Sequence, residues 1–266
     1  YELLPYIAGN FSGKRVQAQA PFDFDKLNPN TGLGVNLDLN KTSTLEITMN
    51  PDFSQVEADV TQIDINSSYA LEYPERRPFF NRGTDVVDFI DGAFYSRSIN
   101  NPLVSSKLLS QSQKSRIYFL TALDQNSPYT VAAEDRSYFG EGGQSFVNVL
   151  RYQHLFSKNT RMGVVTTNRY YQNGGFSNLF GTDGRFILSK NWQLNYEVFA
   201  NKNLEPTSNW IDSEDVLIGK TVALDGETFS GTAFYLQLFH NTEHWISSLS
   251  LSSLSPHYQA NVGFVV

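Results

Sequence analysis

The chain has 266 residues, a formal net charge of −7 at pH 7 and no cysteine. The lack of cysteine excludes disulfide scaffolds, thiolate catalysis and cysteine-ligated zinc sites, and the scattered basic residues exclude a nucleic-acid footprint. Charged residues make up only 18% of the chain and aromatic residues 14%, so this composition departs from that of an ordinary soluble domain.

Neither end of the chain looks like a natural boundary of a folded unit. The chain opens on Tyr1 without a charged and apolar leader, and no apolar run is long enough for a membrane helix. Residues 261–266 have the pattern of the middle of a strand. We therefore expect further sequence at both ends.

The first regular element in chain order follows an entry segment, residues 1–32, which we expect to be irregular because it contains Pro5, Pro21 and Pro29. Residues 33–50 then alternate, with Leu33, Val35 and Leu37 on one side of a strand and polar residues on the other. Leu45, Ile47 and Met49 repeat this pattern after a short turn. The period of two predicts an antiparallel hairpin.

Residues 51–92 interrupt this regularity. Proline removes a backbone donor and restricts its neighbour, and the stretch 73–80 contains two prolines. We predict an inward-folded or plug-like segment here.

From Arg116 onward, strands of about ten residues are joined by alternating short and long connections. About ten residues suit a tilted transmembrane strand, and short turns at one end with long loops at the other are typical of outer-membrane barrels. The pattern predicts an all-β, antiparallel, up-and-down transmembrane β-barrel over residues 33–266, with about ten to twelve strands visible.

Several segments resemble a family of bacterial outer-membrane barrels that follow an N-terminal module similar to family 9 carbohydrate-binding domains. The resemblance is carried chiefly by the stretches LEITMNPDFSQVEAD (residues 45–59) and YPERRPFF (residues 73–80). It implies that a binding module precedes Tyr1, and it implies no catalytic residues.

Acidic and basic residues of the plug-like region form a candidate charge cluster in the lumen. Such a cluster is expected either to pin the segment to the wall by ion pairing or to act as a solute filter or Ca²⁺ site. Its members are Asp52, Glu57, Asp59, Asp64, Glu75, Arg76, Arg77, Arg82 and Arg97.

Aromatic residues near the strand ends are candidates for an interface belt, where amphipathic rings meet lipid headgroups. They are Trp192, Trp245, Tyr170, Tyr171 and Phe156. Tyr129, Tyr138, Trp210 and Phe176 lie instead in expected long loops, where they either stack on sugars or pack on one another.

These patterns predict a non-enzymatic, porin-like protein in the outer membrane of a Gram-negative bacterium. We expect it to act as a channel or as the membrane anchor of a glycan-binding module, without metal or other cofactor. Its expected partners are the lipid bilayer and either glycans or an envelope complex, and not nucleic acid. The alternative is a soluble or secreted β-rich protein that binds carbohydrate or accompanies a glycoside hydrolase.

Overall fold

The computed structural model describes residues 1–10, 13–14, 23–24, 28–51, 73–132, 136–217 and 219–264. Within these ranges one antiparallel sheet of eleven strands dominates. The strands of this main sheet are β1 (Glu2–Asn10), β4 (Asn28–Asn40), β5 (Ser43–Met49), β6 (Pro102–Gln111), β7 (Ser115–Asp124), β10 (Ser145–Leu155), β11 (Arg161–Tyr171), β12 (Phe176–Ser189), β13 (Trp192–Leu204), β16 (Thr228–Asn241) and β17 (Ile246–Leu254). Hydrogen-bonded strands follow one another across the sheet in the order β1-β4-β5-β6-β7-β10-β11-β12-β13-β16-β17.

The remaining elements lie in the connections of the main sheet. Three small hairpins pair β2 (Gly13–Lys14) with β3 (Asp23–Phe24), β8 (Ser127–Ala132) with β9 (Ser137–Gly142), and β14 (Val216–Leu217) with β15 (Lys220–Thr221). The helical turns are α1 (Pro78–Asn81) and two 3-10 helices, Thr84–Val86 and Ser96–Ser98. No helix in the described ranges is long and apolar enough to span a membrane.

The hairpin predicted at residues 33–50 is confirmed. Leu33 lies opposite Met49, Val35 opposite Ile47 and Leu37 opposite Leu45 across β4 and β5. Because residues two apart share a face of a strand, the apolar side chains of this hairpin form one continuous patch.

Connections between neighbouring strands alternate in length along the sheet, except that residues 172–175, between β11 and β12, are also short. Residues 41–42, 112–114, 156–160, 190–191 and 242–245 form the tight connections, and all five lie at the same end of the antiparallel sheet. We call this the short-turn end. The connections at the opposite, long-loop end include residues 50–101, 125–144 and 205–227.

The expectation of an irregular segment at residues 1–32 is wrong for Glu2–Asn10, which pairs with β4 along its whole length. β1 is an edge strand of the described sheet, and an edge strand tolerates proline because one side of its backbone needs no ladder hydrogen bond. Pro5 therefore does not prevent strand formation. The residues between 125 and 144, expected as a polar loop, likewise contain the β8–β9 hairpin.

One face of the main sheet, the inner face, is covered by two segments of the chain. Residues 73–101, here called the plug, lie between β5 and β6 in sequence, and residues 255–264, here called the tail, follow β17. Phe80, Val86 and Ile99 of the plug and Tyr258 of the tail belong to a core that also includes inner-face side chains such as Val149.

The sheet curves around the plug. Arg82 of the plug binds Glu46 on β5, whereas Ile90 binds Glu197 on β13. A flat sheet would separate those two strands by about 29 Å, at about 4.8 Å per neighbour, and a 3-10 helix shortens the path between residues 82 and 90. The short segment between residues 82 and 90 reaches both strands, as a wall that curves around the plug allows.

Candidate functional site

Polarity is inverted across the main sheet. The face opposite the plug, the outer face, exposes apolar side chains on successive strands, whereas the inner face buries charged ones. Exposed outer residues include Phe146, Leu150, Tyr152, Met162, Val164, Tyr170, Phe180, Val198, Leu249 and Leu251. Soluble sheets expose a polar face, whereas this wall exposes an apolar face and buries both apolar and charged side chains on the other.

Buried cationic side chains of the inner face bind the plug through its main chain. Lys107 on β6 donates its ammonium hydrogens to the carbonyl oxygens of Phe79 and Arg82, the latter at 2.9 Å. Arg169 on β11 donates from Nη2 to the carbonyl of Ser98 at 2.6 Å. Both wall side chains are fully buried, so each replaces its lost hydration with protein oxygens.

Arg151 on β10 connects the plug to the neighbouring wall. Its Nε donates to the carbonyl of Val86 at 3.1 Å, and its Nη2 donates to Oδ2 of Asp183 at 2.7 Å. Its Nη1 pairs with the other oxygen of Asp183. The guanidinium lies where a Cβ at Gly163 would be, so this glycine gives the arginine its space.

Carboxylates of the inner face accept hydrogen bonds from plug amides. Oε2 of Glu197 on β13 receives the N–H of Ile90 at 2.9 Å. Asp124, at the end of β7, receives the N–H groups of Asn101 at 2.7 Å and Asn100 at 3.1 Å. The wall therefore binds both the donors and the acceptors of the plug backbone.

A domain family of unknown function, DUF5916, has a model that matches residues 1–118. No curated protein matches the chain. Among solved structures, the chain is similar to OmpTdeltaL8, the loop L8 deletion mutant of OmpT, an outer membrane protein of Vibrio cholerae. That likeness has 8% sequence identity and a TM-score of 0.34, and it covers 95% of this chain and 94% of that chain.

The predicted charge cluster divides into separate contacts. Asp52, Glu57, Asp59 and Asp64 lie outside the described residues. Glu75 and Arg77 pair at 2.7 Å inside the plug, and Arg77 also donates to the carbonyls of Ile99 and Ser96. Arg77 is buried, so this pair lies inside the plug and connects its parts.

Other predicted members of the cluster lie at the plug surface. Arg82 pairs with Glu46 at 2.9 Å, and the same carboxylate pairs with Lys107 at 3.0 Å. Arg97 lies over the ring of Tyr73, and Arg76 is exposed. The described members therefore do not form a single ring.

The Glu75 carboxyl lies in a buried, strongly hydrogen-bonded position. Burial by itself raises its pKa, but the hydrogen bonds and charge of Arg77 and the hydroxyl of Ser96 outweigh it and hold the pKa below the ordinary 4.5. Glu75 also lines a cavity of about 450 Å³ that is formed by residues of the plug, together with Asp85 and Asp88.

The candidate interface aromatics divide between the two faces. Trp192, Trp245 and Phe156 are exposed near the short-turn end, and Tyr170 is exposed on the outer face near the long-loop end. Tyr171 is only 5% exposed and packs against Tyr129 and Trp210, so it is not part of an exposed belt.

The long loops pack on one another above the sheet. Their core contains Tyr129, Val131, Ile211, Val222 and Leu224, with Tyr138 and Trp210 packed against it. Trp210 lies against Gly142 and Gly143. The loop aromatics considered for sugar stacking are therefore engaged in packing, apart from Phe176, which begins β12.

Three acidic residues of the 205–227 loop, Glu205, Asp225 and Glu227, have oxygens close enough to share a cation. The ammonium of Lys220 pairs with Glu205, and the N–H of Thr221 binds Glu227 at 3.1 Å. Burial raises the pKa of Glu205 against the opposing effect of Lys220. The lysine supplies the positive charge that this cluster needs.

The residues that bind the plug from the wall, among them Arg151, Arg169 and Glu197, were not predicted. Each is a charged residue on the polar side of an alternating strand, such as Glu197 beside Val198. Assigning the polar side of every long strand to the interior would have identified them.

Proposed function

We propose that this chain forms part of an integral outer-membrane β-barrel with no enzymatic activity. The observation that carries the proposal is the inverted polarity of the main sheet, with exposed apolar side chains outside and buried charges inside. A bilayer is the solvent in which such an outer face is stable, because lipid tails solvate apolar side chains while the inner face stays polar.

Strand length and turn asymmetry support the same proposal. Strands β10 to β13 have 11 to 14 residues, enough to cross the hydrocarbon layer when tilted. In outer-membrane barrels the short turns are periplasmic and the long loops extracellular. We propose this orientation here.

Within this class we favour a membrane anchor for a glycan-binding module over an open channel. The plug fills the concave side of the wall and is held there by Lys107, Arg151 and Arg169 through main-chain hydrogen bonds. An upstream glycan-binding module, which the family resemblance implies, would provide the recognition function.

Extraction and gel mobility test the membrane proposal. The protein is expected to need detergent, to float with phosphatidylcholine vesicles, and to migrate differently before and after boiling. A monomer that stays in aqueous buffer without detergent would contradict the proposal, and polysaccharide binding by that monomer would favour the soluble carbohydrate-binding alternative.

A further inference from the structure

Two arginines lie opposite each other on the inner face at the short-turn end. Arg161 begins β11, and its cross-strand partner on β12 is Arg185. Arg161 precedes the outward-facing Met162, and Arg185 lies two residues after the inner-face Asp183 on its strand, so both arginines share the inner face. Directly paired residues have Cβ atoms about 4.5–5.5 Å apart, so the two arginine side chains start from neighbouring positions on the inner face.

Nearby acidic groups neutralise this pair only in part. Both oxygens of Asp183 are taken by Arg151, and Asp85 is 3.5 Å from Arg116. Among the described residues, neither Arg161 nor Arg185 forms an ion pair. With Glu197, which lies opposite Asp183 on β13, the local set has four arginines and three carboxylates, so at least one positive charge is in excess.

The hydrogen bonds of the two guanidinium groups are also incomplete. Arg185 donates from Nη2 to Oε1 of Gln193 at 2.8 Å, but its buried Nε has no partner. The described residues provide no hydrogen bond to the Arg161 side chain; Arg185, Arg116 and Arg151 repel it, and Asp183 attracts it. Like charges directly opposite each other in a sheet are destabilising, so a purely structural role does not explain the pair.

The surrounding inner face is polar and accessible. Gln193 donates to Asn195, which donates to Gln237 at 2.9 Å, and all three are half-buried in the described structure. Asn195 on β13 and Gln237 on β16 continue the cross-strand row of Arg161 and Arg185, and Gln193 lies two residues from Asn195 on the same face. A hydrated solute entering from the short-turn end would meet this surface first.

We propose that Arg161 and Arg185, with Arg116 close by, bind a multivalent oxyanion, such as the phosphate group of a small solute, on the inner face. Guanidinium groups match phosphate oxygens through paired N–H donors, and one anion bridging both would supply the missing charge and hydrogen bonds. The site faces away from the apolar outer face, so a free solute is favoured over a lipid headgroup. The inference does not depend on the membrane proposal, because it uses the inner face alone.

Thermal unfolding of the purified protein in a non-ionic detergent tests this site. Inorganic phosphate is titrated at ionic strength held constant with sodium chloride, for the unaltered protein and for R161Q, R185Q and the double variant. The unaltered protein is expected to gain a saturable rise in Tm. Each single variant should bind phosphate roughly ten- to hundredfold more weakly, as expected for losing hydrogen bonds to a charged group.

Lys158→Gln is the matched control, because Lys158 is an exposed residue of the turn that joins β10 to β11 and its loss changes the net charge equally. Its phosphate response should equal that of the unaltered protein. An equal rise in Tm for the double variant, or no rise beyond that caused by sodium chloride, would overturn the proposal. A response to phosphatidylglycerol in mixed micelles but not to inorganic phosphate would overturn the assignment to a free solute.

Stability without phosphate separates binding from a structural role. Because the arginines repel each other, the double variant is expected to melt at the same temperature as the unaltered protein or higher. A large drop in its Tm would show that the pair is structural and would count against the site. If the double variant does not fold, Arg185→Lys keeps the charge but loses the planar donor pair, and unchanged phosphate affinity in that variant would overturn the proposal.

Discussion

At the scale of single residues, the plug is recognised mainly by its backbone. Lys107, Arg151 and Arg169 each donate to main-chain carbonyls, and Glu197 accepts from main-chain amides. Such contacts depend on the path of the plug and not on its side chains at those positions. The wall can therefore hold a segment whose sequence has no regular period.

Replacing Arg151 with methionine should strongly destabilise the folded protein. The substitution leaves the Asp183 carboxylate without its cation and the Val86 carbonyl without its donor. Breaking a buried ion pair from one side typically costs about 3–5 kcal/mol. Urea unfolding in detergent, under conditions where refolding is reversible, measures this cost.

Arg116→Met is the matched control, because Arg116 makes a 3.5 Å pair with an Asp85 side chain that is 66% exposed. Exposed pairs contribute about 0–1 kcal/mol. Equal losses of unfolding free energy for the two variants would show that Arg151 does not hold the plug.

At the scale of elements, each long strand separates two environments, the exposed outer surface and the side that the plug covers. On β13, Trp192, Val198 and Ala200 face outward, while Glu197 and Asn201 face the plug. The alternation is the same as in a soluble sheet, but the apolar side is the exposed one. A period of two therefore predicts the strands without telling which face is the interior.

The sequence predicts elements whose local pattern is strong, and misses those determined by distant contacts. The β4–β5 hairpin and the tight turns were predictable because alternation and turn residues lie within a few positions of each other. β1 was missed because its order comes from pairing with β4, and Pro5 suggests irregularity. The wall residues Arg151 and Glu197 were missed because the plug that they bind is far away in sequence.

Two substitutions on β12 test which environment the outer face contacts. Phe180 is 61% exposed and Leu188 59% exposed, and Phe180 pairs with Thr166 at the middle of β11, whereas Leu188 lies near the short-turn end. Phe180→Arg is expected to cost about 2–4 kcal/mol in a bilayer, and Leu188→Arg about 0–1 kcal/mol, because the penalty falls with distance from the midplane.

Unfolding titrations in phosphatidylcholine vesicles measure the two costs. The nearly equal exposure of the two side chains removes exposure as a difference between the two positions. Equal and small costs for both variants would mean that the outer face lies in water.

At the scale of the whole molecule, wall and plug form a single structural unit. The plug reaches strands from β5 to β13, and the tail adds a contact to the plug, where the Tyr95 amide donates to the carbonyl of Val262 at 2.8 Å. Several charged hydrogen bonds, each worth about 1.5–3 kcal/mol, would have to break together for the plug to leave. The concave side is therefore expected to stay closed to ions.

Planar bilayer recordings test this closure. The unaltered protein is expected to give no steady current, and the double variant Lys107→Met with Arg169→Met should give transient openings, because its plug has lost two wall donors. Lys190→Gln, a change in an exposed turn, should remain silent. A steady current through the unaltered protein would instead support a channel.

The position of the plug between β5 and β6 also has a consequence for the order of folding. Ile90 binds a partner 107 residues away, and Ser98 binds one 164 residues away in the tail. Contacts so distant in sequence form slowly, because a long loop must close before they stabilise anything. Neighbouring hairpins can pair much earlier, so we expect a folding intermediate with formed strands and an undocked plug. Until the plug docks, water must hydrate the arginines and carboxylates of the inner face. We therefore expect water to leave the inner face only when the plug binds there.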